Sequence, residues 1–114
     1  MKLTTSIAKN LSPLYFFSNG VKDISVTQEL YKLQSRMIKA DHLRKEIKHW
    51  AERFPSNYST AVMPNGDLFQ YEDSTAIFYR EEKIPQLQKE LEETNKEIED
   101  LVEKLNPYYE KIEP

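Results

Sequence analysis

The stretch VTQELYKLQSRMIKADHLRKEIKHWAERF, residues 26–54, decides the fold. Val26, Leu30, Leu33, Met37, Ala40, Leu43, Ile47, Trp50 and Phe54 stand at spacings of 4, 3, 4, 3, 3, 4, 3 and 4. That is a heptad-like apolar stripe down one face of a helix, with one extra step of three, a stammer, near Ala40. Such a stripe has to be buried against another element. Ser25, with Gln28 three residues on, reads as a capping box at its start. Pro55 stops the helix, and Lys48 and Arg53 suit the negative end of its dipole. At ~1.5 Å per residue the helix is ~43 Å long.

A matching stripe follows over residues 85–105. Ile84, Leu87, Leu91, Thr94, Ile98, Leu101 and Leu105 keep spacings of 3, 4, 3, 4, 3 and 4. Pro85 suits a first helical position, where its missing N–H costs nothing. Glu92 with Lys96 and Asp100 with Lys104 form favourable i,i+4 pairs. Pro107 is expected to end this helix, leaving Tyr108 to Ile112 as a tail.

Between the helices, Tyr58–Met63 and Asp67–Glu72 flank Pro64-Asn65-Gly66, and Asn-Gly is a strong hairpin signal. With Asn65-Gly66 as a two-residue turn, Val62 lies opposite Phe69 and Thr60 opposite Tyr71, with Met63 and Leu68 on the other face. Residues 75–79 read either as a third strand or as a helical turn leading into Pro85. A second Asn-Gly, Asn19-Gly20, suggests a short hairpin over 14–24.

The expected fold class is therefore α+β, mainly α. Two long amphipathic helices, 26–54 and 85–105, form an antiparallel coiled-coil-like hairpin, joined by a β-hairpin or small antiparallel sheet over 58–79. The whole of 1–114 reads as one domain: an N-terminal segment 1–25, the helix–hairpin–helix unit 26–105 and the tail 106–114. Two helices bury only one seam, which is little for a stable fold. The small sheet, residues 1–25 or a second chain must complete it, and a homodimer through the helices is the expected oligomer.

Composition narrows the function. The chain has 114 residues, 39% apolar and 31% charged, with a formal net charge of −3. It has no cysteine, which excludes disulfides, thiolate metal sites and a cysteine nucleophile. Its two glycines lie far apart, each after an Asn, so a phosphate-cradling loop is not expected. Lys9, Asn10 and Pro13 interrupt any signal-peptide core, and no stretch approaches the ~20 apolar residues of a membrane span. A cytoplasmic location without membrane attachment is the expectation.

Charge is segregated. Residues 1–54 carry ten Lys/Arg against five Asp/Glu, whereas residues 85–114 carry four against nine. The basic first helix is thus a natural companion of the acidic second one. That disfavours nucleic-acid binding, which calls for a basic patch without neutralising neighbours. His42, Glu46 and His49 share a helix face, but the histidines are ~10 Å apart along the axis, too far to grip one ion together. No catalytic, cofactor-binding or metal-ligating residues are assigned, and no cofactor.

What remains is a non-catalytic protein-binding module, a regulator, inhibitor, adaptor or assembly factor. Seven Tyr, five Phe and one Trp exceed what a small core absorbs, and such rings anchor interfaces. The candidate partner-binding residues are Met63, Leu68, Phe69 and Tyr71 in the hairpin and Tyr108 and Tyr109 in the tail. To these is added an acidic ridge of Glu92, Glu93, Glu99 and Glu103. The alternatives are a nucleic-acid binder using the first helix, or a polyanion-mimicking inhibitor using the second.

Overall fold

The computed structural model describes residues 1–114. Its elements are α1 (Thr5–Asn10), α2 (Tyr15–Ser18), α3 (Ile24–Arg53), β1 (Tyr58–Val62), β2 (Leu68–Glu72), α4 (Ser74–Phe78), a π-helical turn (Tyr79–Lys83) and α5 (Ile84–Ile112). The two long helices and the two-stranded antiparallel sheet between them are those the apolar patterning demands. The chain forms two compact units, Met1–Asp41 with Glu92–Pro114, and His42–Leu91. Their boundary on α3 falls beside Ala40, where the stripe takes its extra step of three.

In the first unit α3 and α5 run antiparallel. Lys104 Nζ meets Glu29 Oε1 at 3.2 Å, and two turns along each helix Arg36 Nε donates to Glu97 Oε2 at 2.7 Å. Val26, Leu30, Leu33 and Ala40 are buried from one stripe, and Thr94, Ile98, Leu101 and Leu105 from the other. Leu3, Ala8 and Phe16 are buried beside them, so residues 1–25 supply core that the two stripes alone lack. Gln34 of α3 fixes this segment by donating its amide to the carbonyls of Ala8 and Leu11 at the end of α1 (3.0 and 2.8 Å). The Ala8 carbonyl also accepts the Leu11 N–H at 3.3 Å, whereas the Leu11 carbonyl is an orphan acceptor of the helix C-terminus whose burial unpaired would be costly.

Three local expectations are corrected here. Residues 14–24 do not form a hairpin. Val21 N–H bonds Phe16 O and Gly20 N–H bonds Phe17 O, closing α2 with a Schellman motif in which Gly20 takes φ +96°. Asn19 keeps a negative φ, and a type I′ turn would require a positive one. Second, α3 begins at Ile24, and Asp23 rather than Ser25 caps it: Asp23 Oδ1 accepts from the Ser25 N–H at 3.0 Å and from its hydroxyl at 2.8 Å. These bonds hold the Asp23 carboxyl below its usual range.

Third, Pro107 does not end the second helix; α5 runs through it to Ile112. An interior proline forfeits one backbone hydrogen bond and crowds the preceding turn, at a cost of ~3 kcal/mol. The N-terminal segment offsets this by holding the last turns in place. Leu3 N–H donates to Asn106 Oδ1 at 2.7 Å, Tyr109 is buried, and its ring lies 6.0 Å from that of Tyr15. Tyr15 donates its hydroxyl to Glu113 Oε1 at 3.2 Å. Burial, then this bond to an anion, pushes the Tyr15 phenol up to about 12.

The second unit is built on aromatic rings. Tyr79 stacks on Trp50 at 4.1 Å and on Phe54 at 5.0 Å, and Leu43, Ala76 and Leu87 are buried. Residues 74–84 are helical, not a third strand. The Asp73 carboxylate caps α4 by accepting from the Thr75 and Ala76 N–H groups (3.0 and 3.3 Å), a start signal that five residues of pattern did not reveal. The helix then continues into α5, so Pro85 is not its first residue. The Ile84 N–H reaches back to Tyr79 O in a π turn just ahead of the proline. Arg80 closes the other helix end, donating to Phe54 O at 3.2 Å, Pro55 O at 2.7 Å and Asn57 Oδ1 at 2.8 Å.

Asp73 also accepts from the Ser59 hydroxyl at 2.7 Å, tying β1 to the start of α4. That bond first, then the cap N–H groups, lowers the Asp73 pKa from 3.8. A lowered folded-state pKa contributes stability above the unfolded value, and this is lost as pH falls through the folded one. Asp73→Asn keeps an acceptor oxygen but no charge. Its melting temperature, followed by Trp50 emission, is expected to lie below wild type at pH 7. The gap should narrow by pH ~3, as the wild-type carboxylate takes up its proton.

Candidate interaction surface

The hairpin is made by its turn. Gly66 N–H bonds Met63 O at 2.9 Å, Met63 N–H bonds Asp67 O at 2.7 Å, and Gly66 has φ +89°. No residue other than a glycine has a positive φ, so Asn65 cannot occupy the type I′ geometry, which needs two such residues. Pro64, with its φ fixed near ~−65°, suits the second position of a type I turn, and Gly66 closes a three-residue loop.

The loop is one residue longer than a two-residue turn, and the register shifts with it. Val62 pairs with Leu68, Ala61 with Phe69, Thr60 with Gln70, Ser59 with Tyr71 and Tyr58 with Glu72. Since opposed residues share a face, Tyr58, Val62 and Leu68 stand together, and Phe69 and Tyr71 lie with Ser59 and Ala61. The expected pairings of Val62 with Phe69 and Thr60 with Tyr71 are thereby corrected.

This ribbon is uncovered to an unusual degree. Every residue of β2 is exposed; Val62 is 71% and Leu68 69% accessible. Met63, Phe69 and Tyr71 are also exposed, with the last two rings 5.9 Å apart. Only Ser59 and Ala61 are half-buried in β1. The four hairpin residues singled out from sequence therefore sit together on an open element.

The remaining candidates lie in the first unit. Glu92, Glu93, Glu99 and Glu103 are exposed along α5, with Glu92 3.7 Å from Lys96. Glu103 borders an open groove of about 430 Å³, where Glu29, Glu97 and Asp100 join it beside Lys32 and Lys104. Bonded to Arg36, the Glu97 carboxyl is held below its usual range. Tyr108 is exposed, but Tyr109 is only 5% accessible. The two are neighbours on a helix, not on a free tail, so they point in different directions and Tyr109 offers no ring to a partner.

Of the polar trio on α3, Glu46 accepts from the Trp50 indole at 3.5 Å and His49 lies edge-on to Trp50 with 4.7 Å between centroids. No group of three His, Asp or Glu side chains is placed to hold a metal ion. No helix is long and apolar enough to cross a membrane. Comparison with family models, curated proteins and solved structures found no match.

Proposed function

We propose that this chain is a non-catalytic protein-binding module whose docking element is the β1–β2 hairpin. The observation that carries the reading is the exposure of the hairpin's apolar side chains, Val62 and Leu68 foremost. Burying aliphatic side chains of this size is worth ~1.5–3 kcal/mol each, and the fold leaves that gain unused. Aromatic rings and a methionine beside them suit an interface.

The test replaces residues 59–71 with a short Gly-Ser linker and compares capture of host proteins by the intact and altered chains. The altered chain is expected to keep its helical circular dichroism and lose at least ~10-fold in specific capture, or ~1.4 kcal/mol. Unchanged capture would overturn the reading. It would favour a second one, supported by the exposure of the acidic side chains along α5, in which Glu92, Glu93, Glu99 and Glu103 meet a basic partner. Binding through those exposed charges would weaken steeply with salt, whereas docking on the apolar hairpin would not.

A further inference from the structure

The hairpin has two edges, and they differ. Hydrogen-bonded pairs alternate along an antiparallel ladder. Met63 N–H bonds Asp67 O at one end and Asp73 N–H bonds Asn57 O at the other, which fixes Ala61–Phe69 and Ser59–Tyr71 as the bonded pairs between. The main-chain groups of Tyr58, Thr60 and Val62 therefore point outward from β1, and those of Leu68, Gln70 and Glu72 outward from β2. Only those of Tyr58 meet anything, the hydroxyl of Ser56.

β1 reads Tyr-Ser-Thr-Ala-Val: no charge, no proline, and three residue types that favour strands. Exposed edges are ordinarily blunted by a charge, a proline or a bulge, and β1 has none of these. β2 ends in Glu72 and is flanked by Asp67 and Asp73.

We propose that the β1 edge is the docking site for a second copy of this chain, an inference that rests on the hairpin being the docking element. Two β1 strands laid antiparallel about a two-fold axis at Thr60 form a four-stranded sheet. Thr60 then exchanges both main-chain bonds with Thr60 of the other copy, ~5.5 Å away, and Tyr58 exchanges both with Val62. That gives six inter-chain hydrogen bonds, with the Tyr58 N–H of each copy leaving the Ser56 hydroxyl to make one of them, and sets tyrosine against valine on either side of the axis. The side chains of Tyr58, Val62 and Leu68 from each copy come to one face, which they share with Thr60, Gln70 and Glu72, and no two like charges are opposed. The same operation on β2 sets Leu68 against Glu72, a poor pair, so β1 is the edge assigned. A five-residue edge buries well under the ~800 Å² per partner of a standard interface, so the dimer is weak, with a Kd on the order of 10–100 μM.

Sedimentation equilibrium of the purified full chain tests this, with circular dichroism and Trp50 emission reporting that each variant is folded. Wild type is expected to self-associate in the stated range. Thr60→Lys, which puts two ammonium groups side by side at the axis, should weaken association at least ~10-fold, whereas Gln70→Lys on the other edge should not. A chain carrying Tyr58→Lys and Val62→Lys, and one carrying Tyr58→Glu and Val62→Glu, should each be monomeric. Their equimolar mixture should associate, because the register sets residue 58 against residue 62.

Wild type remaining monomeric at ~1 mM, association indifferent to Thr60→Lys, or failure of the mixture to associate would each overturn the proposal. A monomeric wild type whose host-protein capture still depends on the hairpin overturns self-pairing alone. Capture indifferent to the hairpin overturns the docking reading itself.

Discussion

Ile98→Asp is expected to unfold the first unit. Ile98 is 6% accessible and lies in the middle of the α5 stripe, between buried Thr94 and Leu101. Substitution removes an aliphatic side chain, worth about 2–5 kcal/mol in a well-packed site, and buries a carboxylate with no partner assigned to it. Together these exceed ~4 kcal/mol, against a total stability of ~5–15 kcal/mol for a domain. Loss of helical circular dichroism at 25 °C, or a cooperative melt displaced far downward, is the expected result. Ile38→Asp is the control: Ile38 is on the same fold but exposed, and its substitution should stay within ~0.5 kcal/mol. If the two variants melt alike, the 84–105 stripe is not core.

Phe16→Ala carries the next largest expected effect, about 3–5 kcal/mol. Phe16 is fully buried, lies edge-on to Tyr15 with 5.3 Å between centroids, and belongs to a helix of only four residues. A helix that short has no stability of its own, so it persists only through what its side chains bury. The variant should release residues 1–25 and, with them, the last turns of α5 beyond Pro107. Urea titration followed by far-ultraviolet circular dichroism measures the loss. Faster amide exchange at residues 107–112 would show that the N-terminal segment is what holds the helix past its proline. A change below ~1 kcal/mol would mean that residues 1–25 decorate the core rather than complete it.

Both long helices were legible because each repeats one signal over many turns; the stripe from Val26 to Leu43 and that from Leu87 to Leu105 needed no tertiary information. What was illegible depended on single contacts. Pro107 reads as a stop until Asn106 and Tyr109 are seen held by Leu3 and Tyr15. α1 and α2 are too short to show a period, and their signals are isolated: Thr4 at one cap and Gly20 at another. The hairpin was legible but its register was not, because Asn65-Gly66 suggests a two-residue turn that Pro64 converts to three. Among the candidate surface residues, Met63, Leu68, Phe69 and Tyr71 are all exposed, although strand alternation puts them on both faces of the hairpin and promises an open position for only one face. Tyr109 was misplaced by the same proline that misplaced the helix end.

The π turn at Tyr79–Lys83 gives this part of the chain an unusual relation to its own length. One surplus residue is stored there without breaking the helix. Deleting it, at Glu82 for instance, would restore ordinary helical spacing and swing the preceding turn by ~100°. Tyr79 would leave the faces of Trp50 and Phe54, Arg80 would lose the carbonyls it closes, and the Pro85 ring would be driven onto a carbonyl four residues back. Point substitutions at Glu81 or Glu82, both exposed, carry no such penalty. At Glu81 and Glu82 the number of residues is constrained far more tightly than their identity, whereas Tyr79 and Arg80 are held to both, so homologous sequences should differ at 81 and 82 by replacement and never by a gap.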